Sequence, residues 1–167
     1  DQEPDADELM DRSLVIEGSL VRMLSPEDNL LQVALHTAKH SYVRAPGFRL
    51  HTDVDRIVRS TAIDWPKFVE RVQKLQVKTA VFFSLVLAHD LLLTPIPQEV
   101  FDQLKPSKWK VKIIAKWLQD VGFFDPDGMK WNRIGYIIFV SLLYDDMFGF
   151  FCGVIPSAEW MKKKYGV

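Results

Sequence analysis

The segment LSPEDNLLQVALHTAKH, residues 24–40, decides the fold class because it carries a complete set of helix signals. Ser25 is a favoured N-cap residue, and Pro26 suits the first helical position. Glu27 and Asp28 then place negative charge at the positive end of the helix dipole. Apolar residues recur with helical spacing at Leu31, Ala34, Leu35 and Ala38. We therefore expect a helix that packs one stripe against a core.

Helical signals continue through the rest of the chain. A break at 45–47 precedes a second helix, expected from about Thr52 to Ser60, and Asp64 is expected to cap a third. Residues 78–93 are apolar around the whole helix circumference, which is typical of the central helix of a bundle. Further helices are expected near 98–104, over 107–121, from about 131, and after Pro156-Ser157. The predicted fold class is mainly α, a multi-helix bundle.

Two other segments precede the first long helix. Residues 13–18 and 19–24 are short apolar runs that meet at Gly18-Ser19, which predicts a short N-terminal β-hairpin. Residues 1–11 hold six acidic residues and no basic ones. We expect residues 1–12 to form a flexible, frayed acidic leader and residues 13–167 to form a single helical domain.

Composition limits the class of protein. The chain has 167 residues, of which 48% are hydrophobic, so it can bury a full core. A lone cysteine, Cys152, excludes an intramolecular disulfide, and no signal peptide is evident, so a cytoplasmic location is expected. The apolar segment 134–155 contains Asp145 and Asp146. Each would cost about 2.5–3.5 kcal/mol at a bilayer centre, so we expect a buried helix that ends or kinks near Asp145 and no membrane span.

The charge pattern contains one lysine cluster of interest. The net charge is -1, yet lysines recur at 105, 108, 110, 112 and 116, and again at 162–164. A solvated helix face explains them most simply. A phosphate-tracking surface would need aromatic side chains exposed between the lysines. Trp109 and Trp117 are eight residues apart and are expected to point inward, so nucleic-acid binding is not expected.

His36 and His40 are four residues apart and should stand one helical turn above the other. Three interpretations remain open: a shared metal ion, a pair that faces substrate or phosphate, and a structural hydrogen-bonding pair. A metalloprotease would have Glu directly after the first histidine, where this chain has Thr37. A metal would also need a third ligand, for which His51 and Asp55 are the near candidates.

Arg49 and Asp55 also have two interpretations. The simpler one is an ion pair or cap at the start of the second helix. In the other, Arg49 and Lys39 supply positive charge to a triphosphate, because guanidinium matches phosphate oxygens in a bidentate manner.

Two acidic motifs are not expected to act in catalysis. Asp53-Val54-Asp55 matches a metal-binding Asp-x-Asp pair only superficially, because side chains at i and i+2 of a helix point about 200° apart. Tyr144-Asp145-Asp146 is expected to be a solvated helix end.

These motifs together resemble one protein family. The chain is similar to the C-terminal part of the uncharacterised bacterial nucleotidyltransferase-like proteins, of the polymerase-β-like superfamily. The resemblance is carried by the helix with His36 and His40, the following Arg49-Leu50 and Asp55, the Asp64-Trp65 pair, the break at 94–97 and the segment 155–161. The resemblance covers roughly residues 20–166.

The resemblance implies a catalytic domain upstream of this chain. That domain would use Mg²⁺ and an NTP to transfer a nucleotidyl group to a small-molecule or protein acceptor. This chain would hold no cofactor and no catalytic residue of its own. The residues implied to face substrate or phosphate are His36, Lys39, His40, Arg49 and Asp55. The alternative function is a non-catalytic interaction or scaffold module.

Overall fold

The structure is a computed structural model that describes residues 6–40, 47–121 and 133–145. The described elements confirm the mainly α fold with a short N-terminal hairpin. In chain order they are α1 (Ala6–Asp11), β1 (Leu14–Val15), β2 (Arg22–Met23), α2 (Pro26–His40), α3 (Gly47–Ser60), α4 (Trp65–Lys74), α5 (Lys78–Leu92), α6 (Gln98–Leu104), α7 (Lys108–Val121) and α8 (Arg133–Leu143).

Helix α5 is the centre of the bundle, as its apolar circumference predicts. It packs against α2, α3, α4, α6 and α8. Val81, Leu85 and Ala88 are fully buried along its length. The buried Ser84 hydroxyl donates a hydrogen bond of 2.7 Å to the Ala34 carbonyl of α2, so a polar group in the core is satisfied by a neighbouring helix.

The predicted N-caps are confirmed. The amide of Asp28 donates to the Ser25 hydroxyl at 3.2 Å, and the amide of Lys67 donates to the Asp64 carboxylate at 3.2 Å. Each contact satisfies a backbone donor that has no partner within its own helix.

The acidic leader differs from its prediction over residues 6–11, which form α1. Glu8 on α1 is 2.8 Å from the Lys74 ammonium of α4. Arg12, directly after the helix, is 3.0 Å from the Asp28 carboxylate of α2. Ion pairs with residues far along the chain therefore hold a segment whose composition alone predicts fraying. Residues 1–5 lie outside the described part of the chain.

The hairpin is present but short. Leu14 pairs with Met23 and Val15 with Arg22 in antiparallel register, and Gly18 adopts a φ of 75° in the turn. Such a φ strains any residue that has a Cβ. Strand geometry places Leu14, Ile16, Val21 and Met23 on one face, and all four side chains are exposed.

Helix α3 begins at Gly47 rather than near Thr52, so the predicted start is wrong by about one turn. The reason is a buried stripe at Gly47, His51 and Val54, which follows the i, i+4, i+7 spacing of a packed helix. Arg49 and Asp55 therefore lie inside the helix and do not flank its start.

Helix α8 and the following Asp145 form the C-terminal end of the described residues. Helix α8 ends at Leu143, as expected for a helix that stops near Asp145. Asp145 was expected to be solvated, but its side chain is only 10% exposed. Its carboxylate accepts hydrogen bonds from the amide and hydroxyl of Thr79. Helix α5 has no capping side chain at its own N-cap, Val77, so a remote carboxylate supplies the cap.

Several sequence predictions fall outside the described residues. They concern Trp131, Asp146, Cys152, the lysines at 162–164 and the helix after Ser157. Within the described ranges, no helix combines the length and the hydropathy needed to cross a bilayer.

Candidate phosphate-facing surface

The end of α2 packs against the start of α3. The buried Thr37 hydroxyl donates a hydrogen bond of 3.3 Å to the Leu50 carbonyl. Lys39 follows Thr37 by two residues, and Arg49 directly precedes Leu50. The packing therefore brings these two cations to the same end of the helix pair, and both are exposed.

His36, Lys39 and His40 lie together on α2 because they are spaced at i, i+3 and i+4. The two imidazole rings are 4.5 Å apart between centroids and tilted by 49°. His36 is exposed and His40 is half-buried. Two imidazoles and an ammonium group thus lie within one turn at the C-terminal end of α2.

His51, a candidate third metal ligand, lies in the core. It is fully buried, and its Nδ1 lies 3.1 Å from the Gly47 carbonyl. A carbonyl can only accept, so Nδ1 carries the proton. Burial lowers the pKa of the His51 imidazole. No group of three or more His, Cys, Asp or Glu side chains with metal-binding geometry occurs among residues 6–40, 47–121 and 133–145.

The predicted ion pair between Arg49 and Asp55 is wrong. Asp55 is 2.8 Å from Arg59 on the same helix and accepts a hydrogen bond of 2.8 Å from Thr94. Positions 49 and 55 are six apart, or about 240° around a helix, so they face different directions. Asp55 therefore orders the end of α3 against the segment after α5 and does not belong to this surface.

Arg49 remains available at the surface. Its guanidinium makes no ion pair or hydrogen bond with any residue in the described ranges. The first turn of α3, to which it belongs, contains no acidic residue. The positive end of the α3 dipole and the Arg49 charge therefore both contribute positive electrostatic potential at this surface.

The Asp53 and Asp55 carboxylates do not fit a two-magnesium site. Val54 between them is fully buried, Asp53 is exposed, and Asp55 Oδ1 already accepts from Arg59 and Thr94. The two groups diverge, as the helical geometry predicts.

A network of buried charge that the sequence does not indicate lies at the opposite end of α2. The side chains of Asp28 and Glu27 are 3% and 9% exposed. Arg71 of α4 lies 3.1 Å from Asp28 and 3.4 Å from Glu27, and it donates to the Ser25 hydroxyl at 2.7 Å. Nothing in the local sequence signals this contact, because Arg71 is more than 40 positions away.

Two grooves lie elsewhere on the bundle. One, of about 420 Å³, runs between α4 and α6 and is lined by Trp65, Glu70 and Glu99 among others. The second, of about 340 Å³, lies between α5 and α6 beside His89 and Asp102. Neither is lined by His36, Lys39, His40 or Arg49.

A comparison with known families decides the assignment. A family described as uncharacterised nucleotidyltransferase matches residues 1–93, which is more than half of the 167-residue chain. The chain belongs to this family. No curated protein and no solved structure matches it. The matched range contains α2 and α3, and with them all five site residues predicted from the sequence. The resemblance beyond Leu93 stays a prediction.

Proposed function

We propose that this chain is the helical, substrate-side domain of a bacterial, cytoplasmic nucleotidyltransferase and lies C-terminal to the catalytic domain. The whole protein transfers a nucleotidyl group from an NTP to a small-molecule or protein acceptor. The observation that carries the proposal is Arg49, which is exposed, free of acidic partners within the described ranges, and part of the family-matched region.

The chemistry of this surface suits a triphosphate. The planar guanidinium of Arg49 can bind two phosphate oxygens at once, and Lys39 adds a mobile point charge. The exposed His36 can donate a hydrogen bond to a phosphate oxygen. The α3 dipole adds a favourable field for an anion near its first turn.

The metal chemistry belongs to the other domain in this proposal. Asp53 and Asp55 diverge, and Asp55 is occupied by Arg59 and Thr94. We therefore assign Mg²⁺ and the catalytic carboxylates to the upstream domain. This chain contributes binding and orientation of the triphosphate, and it does not turn over a nucleotide by itself.

The N-terminal hairpin supports the presence of a neighbouring domain or partner. Leu14, Val21 and Met23 are 47%, 59% and 51% exposed on one face. Contiguous exposed apolar residues commonly mark an interaction surface. The same observation favours the alternative function, a non-catalytic interaction module. Nucleotide binding separates the two.

The test is calorimetric titration of the full-length protein with each of the four NTPs in the presence of Mg²⁺. We expect one NTP or more to bind. Arg49→Ala and Lys39→Ala should each weaken binding about tenfold, which corresponds to about 1.4 kcal/mol and is the size of a charge-assisted hydrogen bond.

Lys67→Ala is the matched control, because it removes one exposed lysine from α4, outside the surface of α2 and α3. It should leave the affinity unchanged. Failure of all four NTPs to bind would support the interaction module. Turnover of a nucleotide by the isolated 167-residue chain would contradict the assignment of catalysis to an upstream domain.

A further inference from the structure

Helix α7 carries a basic and aromatic face, formed by Lys108, Trp109, Lys112, Ile113 and Lys116. All five side chains are exposed, and Trp109 is 55% exposed. At 100° per residue these positions fall within one arc of about 140°. We call this arc the α7 face.

The other side of α7 is anchored in the bundle. Ile114 is fully buried, and the Trp117 ring stacks on Phe139 of α8, with centroids 5.7 Å apart and planes 21° apart. Eight residues correspond to about 80° of rotation, so Trp109 and Trp117 do not share a direction. The expectation that both tryptophans point inward is therefore wrong for Trp109.

Positive charge dominates the α7 face over most of the helix. Residues 107–119 contain no acidic residue, and Asp120 follows in the last turn. Lys108, Lys112 and Lys116 form no ion pair within the described ranges, whereas Lys67 and Lys74 on α4 each pair with a carboxylate at 2.8 Å. The three free lysines follow one another at intervals of four residues, or about 6 Å along the helix axis.

We propose that the α7 face binds single-stranded nucleic acid. Trp109 offers a ring for a base to stack on, and the row of lysines contacts successive phosphates, which is how proteins bind single strands without sequence preference. The exposed aromatic among lysines is the feature that such a surface needs and that the sequence pattern did not predict.

The same arc suits a membrane surface less well. An interfacial helix presents a broad apolar face to the lipid, but the apolar side of α7 faces the bundle core. Trp109 and Ile113 are the only apolar members of the exposed arc. The proposal also stands apart from the triphosphate surface, because it uses none of the residues of α2 and α3.

The test is fluorescence polarisation of the 167-residue chain with labelled oligothymidylate, oligouridylate and duplex DNA over a series of salt concentrations. Single strands should bind more tightly than the duplex. Trp109→Ala should weaken binding about tenfold or more, because base stacking is lost, and Trp109→Phe should restore most of the affinity. Lys112→Ala and Lys116→Ala should each reduce the slope of log affinity against log salt by about 0.7.

Lys67→Ala is the control, since it removes an exposed lysine that already pairs with Asp64; its affinity and salt slope should match those of the unmodified chain. Circular dichroism checks that each variant is folded. Absence of oligonucleotide binding would overturn the proposal. So would equal affinity for duplex and single strands with no effect of Trp109→Ala, or binding to phosphatidylserine vesicles without binding to oligonucleotides.

Discussion

Substitution of Asp28 by Ala should be among the most destabilising changes in this chain. The carboxylate is almost fully buried and has three partners, namely Arg12 at 3.0 Å, Arg71 at 3.1 Å and the Ser25 hydroxyl at 2.9 Å. These contacts join the α1 region, the start of α2 and α4. The substitution removes all three and leaves two arginines without their main counter-charge.

The expected loss of unfolding free energy depends on the carboxylate contacts that Arg71 and Arg12 keep in the variant. Removing one partner of a buried ion pair typically costs about 3–5 kcal/mol. Arg71 keeps a contact of 3.4 Å with Glu27, and Arg12, which is 29% exposed, keeps one of 3.3 Å with Glu8. We therefore expect the low end of that range, about 3 kcal/mol. Since small domains are stable by about 5–15 kcal/mol, the variant should still fold.

Urea denaturation followed by circular dichroism measures this loss. The midpoint should fall with little change in the slope of free energy against urea, because the buried area stays similar. A double-mutant cycle with Arg71→Ala should give a coupling energy above about 1 kcal/mol. Asp53→Ala, which removes an exposed carboxylate with no partner in the described ranges, is the control and should change stability by less than about 0.5 kcal/mol. A loss below about 1 kcal/mol for Asp28→Ala, with no coupling, would refute the reasoning.

Three further predictions concern stability. Leu93 is 77% exposed and caps α5 with a φ of 54°, so Leu93→Gly should raise the melting temperature through a gain of up to about 1 kcal/mol; a lower melting temperature would contradict this. Asp145→Ala should cost about 2 kcal/mol in urea titration, because Thr79 loses its carboxylate acceptor; an unchanged midpoint would show that the cap is dispensable. Burial lowers the pKa of His51 below its ordinary value of 6.5, so the unfolded chain binds a proton first as the pH falls. Stability should decline below pH 6.5 by up to about 1.4 kcal/mol per pH unit. His51→Gln should flatten this slope, and identical slopes would assign the decline to other groups.

Local signals predicted most of the helical elements. Ser25 and Asp64 indicate where helices start, because their side chains satisfy backbone donors of the first turn. The apolar circumference of residues 78–93 predicts a central helix. The cluster of His36, Lys39 and His40 also follows from helical spacing alone. These features depend on residues within one or two turns of each other, which is the range over which sequence periodicity carries information.

Contacts between distant residues decided the rest. Asp55 pairs with Arg59 and Thr94 instead of Arg49, and Asp145 caps α5 instead of facing water. Trp109 and Trp117 have the same residue type and lie on the same helix, yet Trp117 stacks on Phe139 of α8, whereas Trp109 is exposed and contacts Lys110 of its own helix. The sequence by itself determined which segments are helical and which helix faces are apolar. Only the tertiary structure decided which charges are neutralised and which remain at the surface, because burial and ion pairing depend on residues brought together from far apart in the chain.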